Sequence, residues 1–149
     1  MFNIDAVVAQ QYDRLTRGAY PASEVSQGGI VTPAAIMDKL YDSLRTEKGL
    51  IIYCGYDPTN DTFTVGHLPT LRKLKIAEEL GHNPRLIIGT ATVLAGGDPT
   101  DTAKARSMLQ LEKVQHNAKS LTSQARRILG KDIPILDNYQ DILSKLSYV

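Results

Sequence analysis

Tyr53-Cys54-Gly55-Tyr56-Asp57-Pro58-Thr59, followed closely by Val65-Gly66-His67-Leu68, decides the fold of this chain. Just before it, the run Leu50-Ile51-Ile52-Tyr53-Cys54 is rich in β-branched and aromatic residues. Gly55 and Pro58 punctuate its end, so the run reads as a strand passing into a turn. Gly66 then opens a helical pattern. A glycine at a helix start lets backbone amides come close to a ligand, and the unpaired N–H groups there favour phosphate. The junction predicts a strand turning into a nucleotide-binding helix.

Working downstream, Leu68, Leu71, Leu74 and Leu80 recur at near-helical spacing up to Gly81. Pro84 leads into a second apolar run over 85–88, which reads as a short buried strand of the kind found where helices cover both sheet faces. The stretch 90–100 is too rich in glycine and hydroxyls for regular structure and too apolar for a solvated linker, a composition suited to a ligand-facing loop. Residues 111–129 form a long helical candidate with Leu111, Val114, Ala118, Leu121, Ala125 and Ile128 inward and Gly130 at its end. A third strand is predicted over 133–136, with Pro134 near its start and Asp137-Asn138 at its end. Residues 141–146 begin a further helix. Strand, helix, strand, helix, strand argues a parallel α/β sheet with right-handed crossovers and ligands at the carboxyl ends of its strands. The 53–67 segment, the 90–100 loop and Asp137-Asn138 all fall on that rim. Neither the dinucleotide fingerprint nor the P-loop pattern is present.

Upstream, residues 3–17 carry Ile4, Val7, Val8, Tyr12 and Leu15 at helix-compatible spacing, with Asn3 as cap. Residues 18–29 turn to Gly, Ser, Pro and Gln and read as a surface connector. Thr32-Pro33 starts a second helix, a cap followed by a proline in its first turn, with Ile36, Leu40 and Leu44 in one stripe before Gly49.

A length of 149 residues with 42% hydrophobic and 22% charged content suffices for one core. The balance of 17 basic against 16 acidic residues gives +1, so no global field demands nucleic acid. One cysteine excludes an intramolecular disulfide framework, and the start of the chain lacks a basic flank with an apolar core. The expected compartment is therefore reducing and cytoplasmic. His82 and His116 are expected at the surface, and His116 lacks the partners of a metal site. Arg126-Arg127 with Lys131 reads first as a solvated helix terminus and second as a phosphate contact.

The string YCGYDPTNDTFTVGHL resembles the first signature of the tyrosine tRNA ligases, class I aminoacyl-tRNA synthetases, whose form runs approximately YCGFDPTADSLHIGHL. Two further blocks follow in the same order. Residues 89–99 resemble the family's GGATGLIGDP loop, and Asp137-Asn138-Tyr139 resembles its NNYDW segment. The resemblance implies an α/β fold with a Rossmann-like parallel sheet. Residues 50–149 would be the first half of the catalytic domain and 1–49 a helical segment ahead of it. It also implies an activity, namely activation of tyrosine with ATP and transfer of the tyrosyl group to tRNA. Mg2+ would accompany ATP without a protein metal site, and the complete enzyme would be a homodimer.

Carried residue by residue, the resemblance gives Tyr53, Thr92 and Asp98 to the tyrosine substrate. It gives Cys54, Gly55, Asp57, Gly66, His67 and Thr70 to ATP, and Thr59, Thr64 and His67 to the catalytic step. Tyr53 would meet the substrate phenol, a selective contact because a site built for a hydroxyl penalises phenylalanine. Asp98 would accept the substrate ammonium, to which a carboxylate is well suited. Each residue alone has a structural reading: Cys54 and Tyr53 as core, Gly66 and His67 as an ordinary helix start, Asp98 as a turn former beside Pro99.

The departures are specific. Thr64 stands where the family has the first His of its HIGH tetrapeptide, Gly96-Gly97 precede Asp98 where it has one Gly, and Asp141 replaces a Trp. No lysine loop like the family's KMSKS follows. The chain is therefore expected to be a truncated part of the enzyme or a noncatalytic ATP- and tyrosine-binding relative. A different adenylyl transferase is disfavoured by Tyr53-Cys54-Gly55.

Overall fold

A computed structural model of the protein describes residues 3–18, 33–95 and 111–145. The expected connector after Gly18, the Thr32 cap, Asp98 with its paired glycines, and the end of the last helix lie outside these residues.

β1 (Ile51–Tyr56), β2 (Asn83–Ile88) and β3 (Ile135–Asp137) form one sheet in the order β1-β2-β3. Both pairings are parallel, Cys54 opposing Leu86 and Ile87 opposing Leu136. Parallel neighbours need long crossovers. Between β1 and β2 the chain passes through α3 (Leu68–Glu79), preceded by a single 3₁₀ turn (Val65–His67). Between β2 and β3 it passes through a short helix α4 (Thr90–Leu94) and the long α5 (Leu111–Leu129). Gly130, at a φ of +85°, ends α5 in the left-handed conformation that glycine tolerates best.

Strand alternation decides what the sheet buries. Leu86 and Ile88 of β2 join Leu71 and Leu74 of α3 and Ala118, Leu121, Ala125 and Leu129 of α5 in one core. Ile52, Cys54 and Tyr56 pack on the same side. The other face carries Ile51 and Tyr53, 61% and 68% exposed. The expectation that helices cover both faces of β2 is thus met on one face only, among the described residues. With all three strands laid down in one direction, two right-handed crossovers place α3 and α5 on the same side.

Several boundaries differ from the sequence reading for identifiable reasons. β1 runs on through Gly55 to Tyr56, because pairing with Ile87 and Ile88 outweighs the poor strand preference of glycine. β2 begins at Asn83-Pro84, where β3 does not reach and a missing N–H costs no ladder bond. Pro134 lies just before β3, and only its carbonyl is used, accepting from the Leu86 amide at 2.9 Å. Leu111 and Ile128 are exposed near the ends of α5, since periodicity does not reveal where the partnering layer stops. The start of the expected loop is helical instead: α4 buries Thr90, Ala91 and Val93.

α1 (Ile4–Thr16) and α2 (Pro33–Thr46) pack beside each other, burying Val8 and Leu40. Asn3 caps α1 through its side chain, which accepts from the Ala6 amide at 3.2 Å. His82, expected at the surface, is buried instead. Its Nδ1 accepts from the Leu50 amide at 3.3 Å, and burial lowers its pKa from the ordinary 6.5. His116 is exposed. Arg126 is not a free helix-end cation, because it donates to the carbonyls of Lys131 and Ile133 at 3.1 and 2.6 Å and so fastens the turn into β3. Among the described residues no helix is long and apolar enough to cross a membrane.

Candidate functional site

Parallel strands bring their carboxyl ends to one rim, and two polar groupings form there. The first surrounds His67. The turn Val65–His67 sets the imidazole back over its own start, so that Nδ1 accepts the Thr64 backbone N–H at 2.9 Å, with Thr64 Oγ1 also 2.9 Å away. An N–H donated into Nδ1 requires a lone pair on that atom, so the neutral ring carries its proton on Nε2. Tyr56 and Phe63 stand edge-on to the imidazole with centroids at 5.2 and 5.4 Å. The Tyr56 hydroxyl donates to the His67 carbonyl at 3.2 Å and touches the Thr70 hydroxyl, which also donates to that carbonyl at 2.9 Å. Burial, chiefly, pushes the Tyr56 phenol up to about 12, so it remains a neutral donor throughout the physiological range.

The second grouping lies at the ends of β2 and β3. Asn138 joins the two, accepting the Ala91 amide at 2.8 Å and donating to Thr92 Oγ1 at 3.2 Å. Thr90 donates to Asp137 at 2.6 Å. Gly89 opens α4, and its amide donates to the Tyr56 carbonyl at 2.8 Å, tying β2 to β1. A β-carbon at Gly89 would overlap the Asp57 carboxylate and crowd Thr92 Oγ1 at 3.2 Å, so a larger residue there would require the Asp57 side chain to move. The backbone of Thr59 donates to the Asp57 carbonyl at 2.8 Å, which closes the turn after β1.

α5 holds the connecting loop in place. Asn117, buried, donates to the Pro58 carbonyl at 3.0 Å. Gln124 accepts the Phe63 amide at 3.1 Å and donates to the Asp61 carbonyl at 2.7 Å. These two residues, with Tyr56 and Phe63, position the site and have no role in the sequence reading, whereas Asn138, expected on the rim, is found there bridging the ends of β2 and β3. The available signal was Asn117, a polar residue inside the apolar stripe Val114, Ala118 and Leu121.

Of the residues expected at a site, the structure brings Thr64, His67 and Thr70 together at the start of α3, and Asp57 and Thr92 together around Gly89. Tyr53 and Gly55 lie on the exposed sheet face, while the half-buried Cys54 packs toward the core from the same strand. Gly55 has nothing within 4 Å of where a side chain would begin, and Gly66 has only Thr64 Oγ1 at 3.6 Å. Among the described residues, packing therefore does not require glycine at either position. Asp98 lies outside the described residues, as does any contact it makes. No group of His, Cys, Asp and Glu among the described residues is arranged to hold a metal ion.

A family model described as tRNA synthetases class I (W and Y) matches residues 45–148. The chain is similar to a tyrosine–tRNA ligase of Levilactobacillus brevis, 42% identical over 106 residues that cover 70% of this chain and 25% of the relative. It is also similar to a tyrosine–tRNA ligase of Phytoplasma australiense, 46% identical over 104 residues, 69% of this chain and 25% of the relative. The aligned part thus amounts to about a quarter of the length of these relatives. Among solved structures, a tyrosyl-tRNA synthetase from Aeropyrum pernix superposes with a TM-score of 0.60 at 14% identity, over 94% of this chain and 36% of that one. At that identity the likeness is one of fold.

Proposed function

This chain belongs to the class I tRNA synthetases (W and Y), and on that premise we propose that it forms the first half of a tyrosine-activating catalytic domain. Residues 50–149 supply the half-site and 1–49 precede it as a helical segment. In the complete protein, a carboxylate oxygen of tyrosine attacks the α-phosphorus of ATP. The bond to the bridging oxygen breaks, pyrophosphate leaves, and the tyrosyl group then passes from the adenylate to tRNA. No protein nucleophile is needed, so the residues contribute positioning and charge stabilisation.

In this reading Tyr53, Thr92 and Asp98 receive tyrosine, while Cys54, Gly55, Asp57, Gly66, His67 and Thr70 receive ATP with its Mg2+. Thr59 and Thr64 face the departing pyrophosphate. The complete protein is a cytoplasmic homodimer.

The observation that carries the proposal is the held imidazole of His67. Its Nδ1 is occupied by the Thr64 amide, so Nε2–H is the donor offered to a ligand, beside a Gly66 whose lack of a side chain is not explained by packing among the described residues. A noncatalytic nucleotide-binding relative is the second reading. It is favoured by Thr64, whose hydroxyl sits against the His67 ring instead of offering a second imidazole.

Pyrophosphate exchange with ATP and tyrosine, run on the chain as given and on a version extended past Val149, separates the two. Exchange in the extended form alone supports the half-site. Binding without exchange in both supports the noncatalytic reading, and binding of neither substrate removes the site. In the extended form, Thr64→His is expected to accelerate single-turnover adenylate formation by up to about 2–4 kcal/mol of barrier, the effect of one preorganised donor. The His67 contact would survive that change because it uses the backbone amide of residue 64.

A further inference from the structure

On α5, Asn117, Ser120 and Gln124 stand three and four residues apart and so share one flank of the helix, beside the apolar stripe that reaches the sheet. Asn117 serves the turn at Pro58. Gln124 has a more specific attachment. Its Oε1 accepts the Phe63 N–H at 3.1 Å, while Nε2 donates to the Asp61 carbonyl at 2.7 Å and to Ser120 Oγ at 3.1 Å. A flipped amide would set a donor against the Phe63 N–H and an acceptor against the Asp61 carbonyl, so these partners fix its orientation.

Phe63 is thereby held from two sides. Its N–H is on Gln124, and its ring packs against the core, edge-on to Tyr56 with centroids 5.1 Å apart. Thr62, Thr64 and Val65 are exposed, so burial does little to fix this stretch and Phe63 does most. Peptide units are rigid planes, and only the φ and ψ of Phe63 separate its anchored N–H from the N–H of Thr64. That next N–H is the one that occupies Nδ1 of His67 at 2.9 Å. The Phe63 ring also flanks the imidazole, with centroids 5.4 Å apart. An α5 side chain thus reaches the imidazole through a single residue.

We propose that Gln124 is a positioning residue for His67: by holding the Phe63 N–H it aims the Thr64 N–H at Nδ1, which keeps the imidazole proton on Nε2 and that donor pointed at the ligand. Gln124 touches neither substrate in this assignment and acts only through Phe63 and Thr64. Its value for the reaction rests on the activation reading, whereas its hold on the imidazole does not.

The test begins on the full chain. At alkaline pH, long-range proton–nitrogen NMR of the parent should show His67 as the Nε2–H tautomer. Gln124→Met keeps the reach of the side chain and removes its polar contacts. It should convert His67 to a mixture of tautomers and speed hydrogen exchange at the Thr64 amide on the order of tenfold, with exchange in the sheet unchanged. Gln124→Glu, which still accepts the Phe63 N–H, should keep the Nε2–H tautomer. An unchanged tautomer in Gln124→Met, even with lost stability, or equal loss in both variants, would overturn the proposal. In a second arm, pyrophosphate exchange is measured on the form extended past Val149. Gln124→Met should lower kcat about tenfold, as misplacement of a catalytic group does, and leave the KM for tyrosine unchanged. In a His67→Ala background the same change should cost nothing further, and additive losses would overturn the route through His67. No exchange in the extended parent would remove the activation reading, while the NMR arm would still decide whether Gln124 holds the imidazole.

Discussion

The two faces of one three-stranded sheet do different work. On one, Ile52, Cys54 and Tyr56 alternate into a core completed by Leu71, Leu86 and Leu129, all three fully buried. On the other, Ile51, Tyr53 and Gly55 lie exposed. Residues adjacent in sequence are therefore under opposite demands. A strand with a period of two can hold the fold with one half of its side chains and present chemistry with the other.

The largest expected effect tests whether the covered face alone carries stability. Leu86→Ala should cost about 2–5 kcal/mol, from lost burial plus a cavity. Ile51→Ala, on the other face of the same sheet, should stay within about 1 kcal/mol. Urea denaturation midpoints of the two variants check this, and similar losses would abolish the distinction.

Next is the seam where the faces meet at the strand ends. Gly89→Ala places a methyl group against the Asp57 carboxylate and should cost about 1–3 kcal/mol, as overpacked sites do. Adding Asp57→Ala should return part of that loss, and a double-mutant cycle would read the coupling directly. Strict additivity would mean that the close approach is not what selects glycine.

Tyr53→Phe isolates the exposed face. Its denaturation midpoint should shift by less than about 0.5 kcal/mol, as for a surface change. Tyrosine affinity, measured by calorimetry, should fall on the order of tenfold through loss of one hydroxyl partner. Lost stability with unchanged affinity would reassign Tyr53 to structure.

The smallest effect is a pH dependence at the opposite end of the sheet. The folded pKa of His82 lies below its ordinary 6.5, so between those two values the unfolded chain binds the extra proton. The stability contributed by neutral His82 is full above about pH 6.5 and is lost as pH falls through the folded value. His82→Leu should flatten the stability profile across that window, and an unchanged slope would place its origin elsewhere.

Much of this molecule was legible locally. The β-branched run before Gly55, the leucines after Gly66, the long stripe ending at Gly130 and the capping Asn3 each act within one element, so spacing and turn chemistry suffice to find them. The His67 string was legible for the same reason: its contacts with Thr64 and Thr70 span one turn. His82 was misjudged because its burial depends on Leu50, far away in the chain. The start of the 90–100 stretch was misjudged because the helix there gains a cap from Asn138, contributed by another strand end.

By itself, then, the sequence determined the elements, their order, the parallel α/β class and a family membership written into contiguous motifs. Only the tertiary structure decided that α3 and α5 share one face of the sheet, that Tyr53 and Cys54 serve opposite sides, and that Asn117, Gln124 and Asn138 hold the rim. It alone showed Lys73 of α3 reaching the carbonyls of Arg14 and Arg17 at the end of α1. The physical reason is distance along the chain: motifs and helical stripes are encoded between near neighbours, whereas a face, a cap from another strand or a cleft exists only once remote segments are brought into contact.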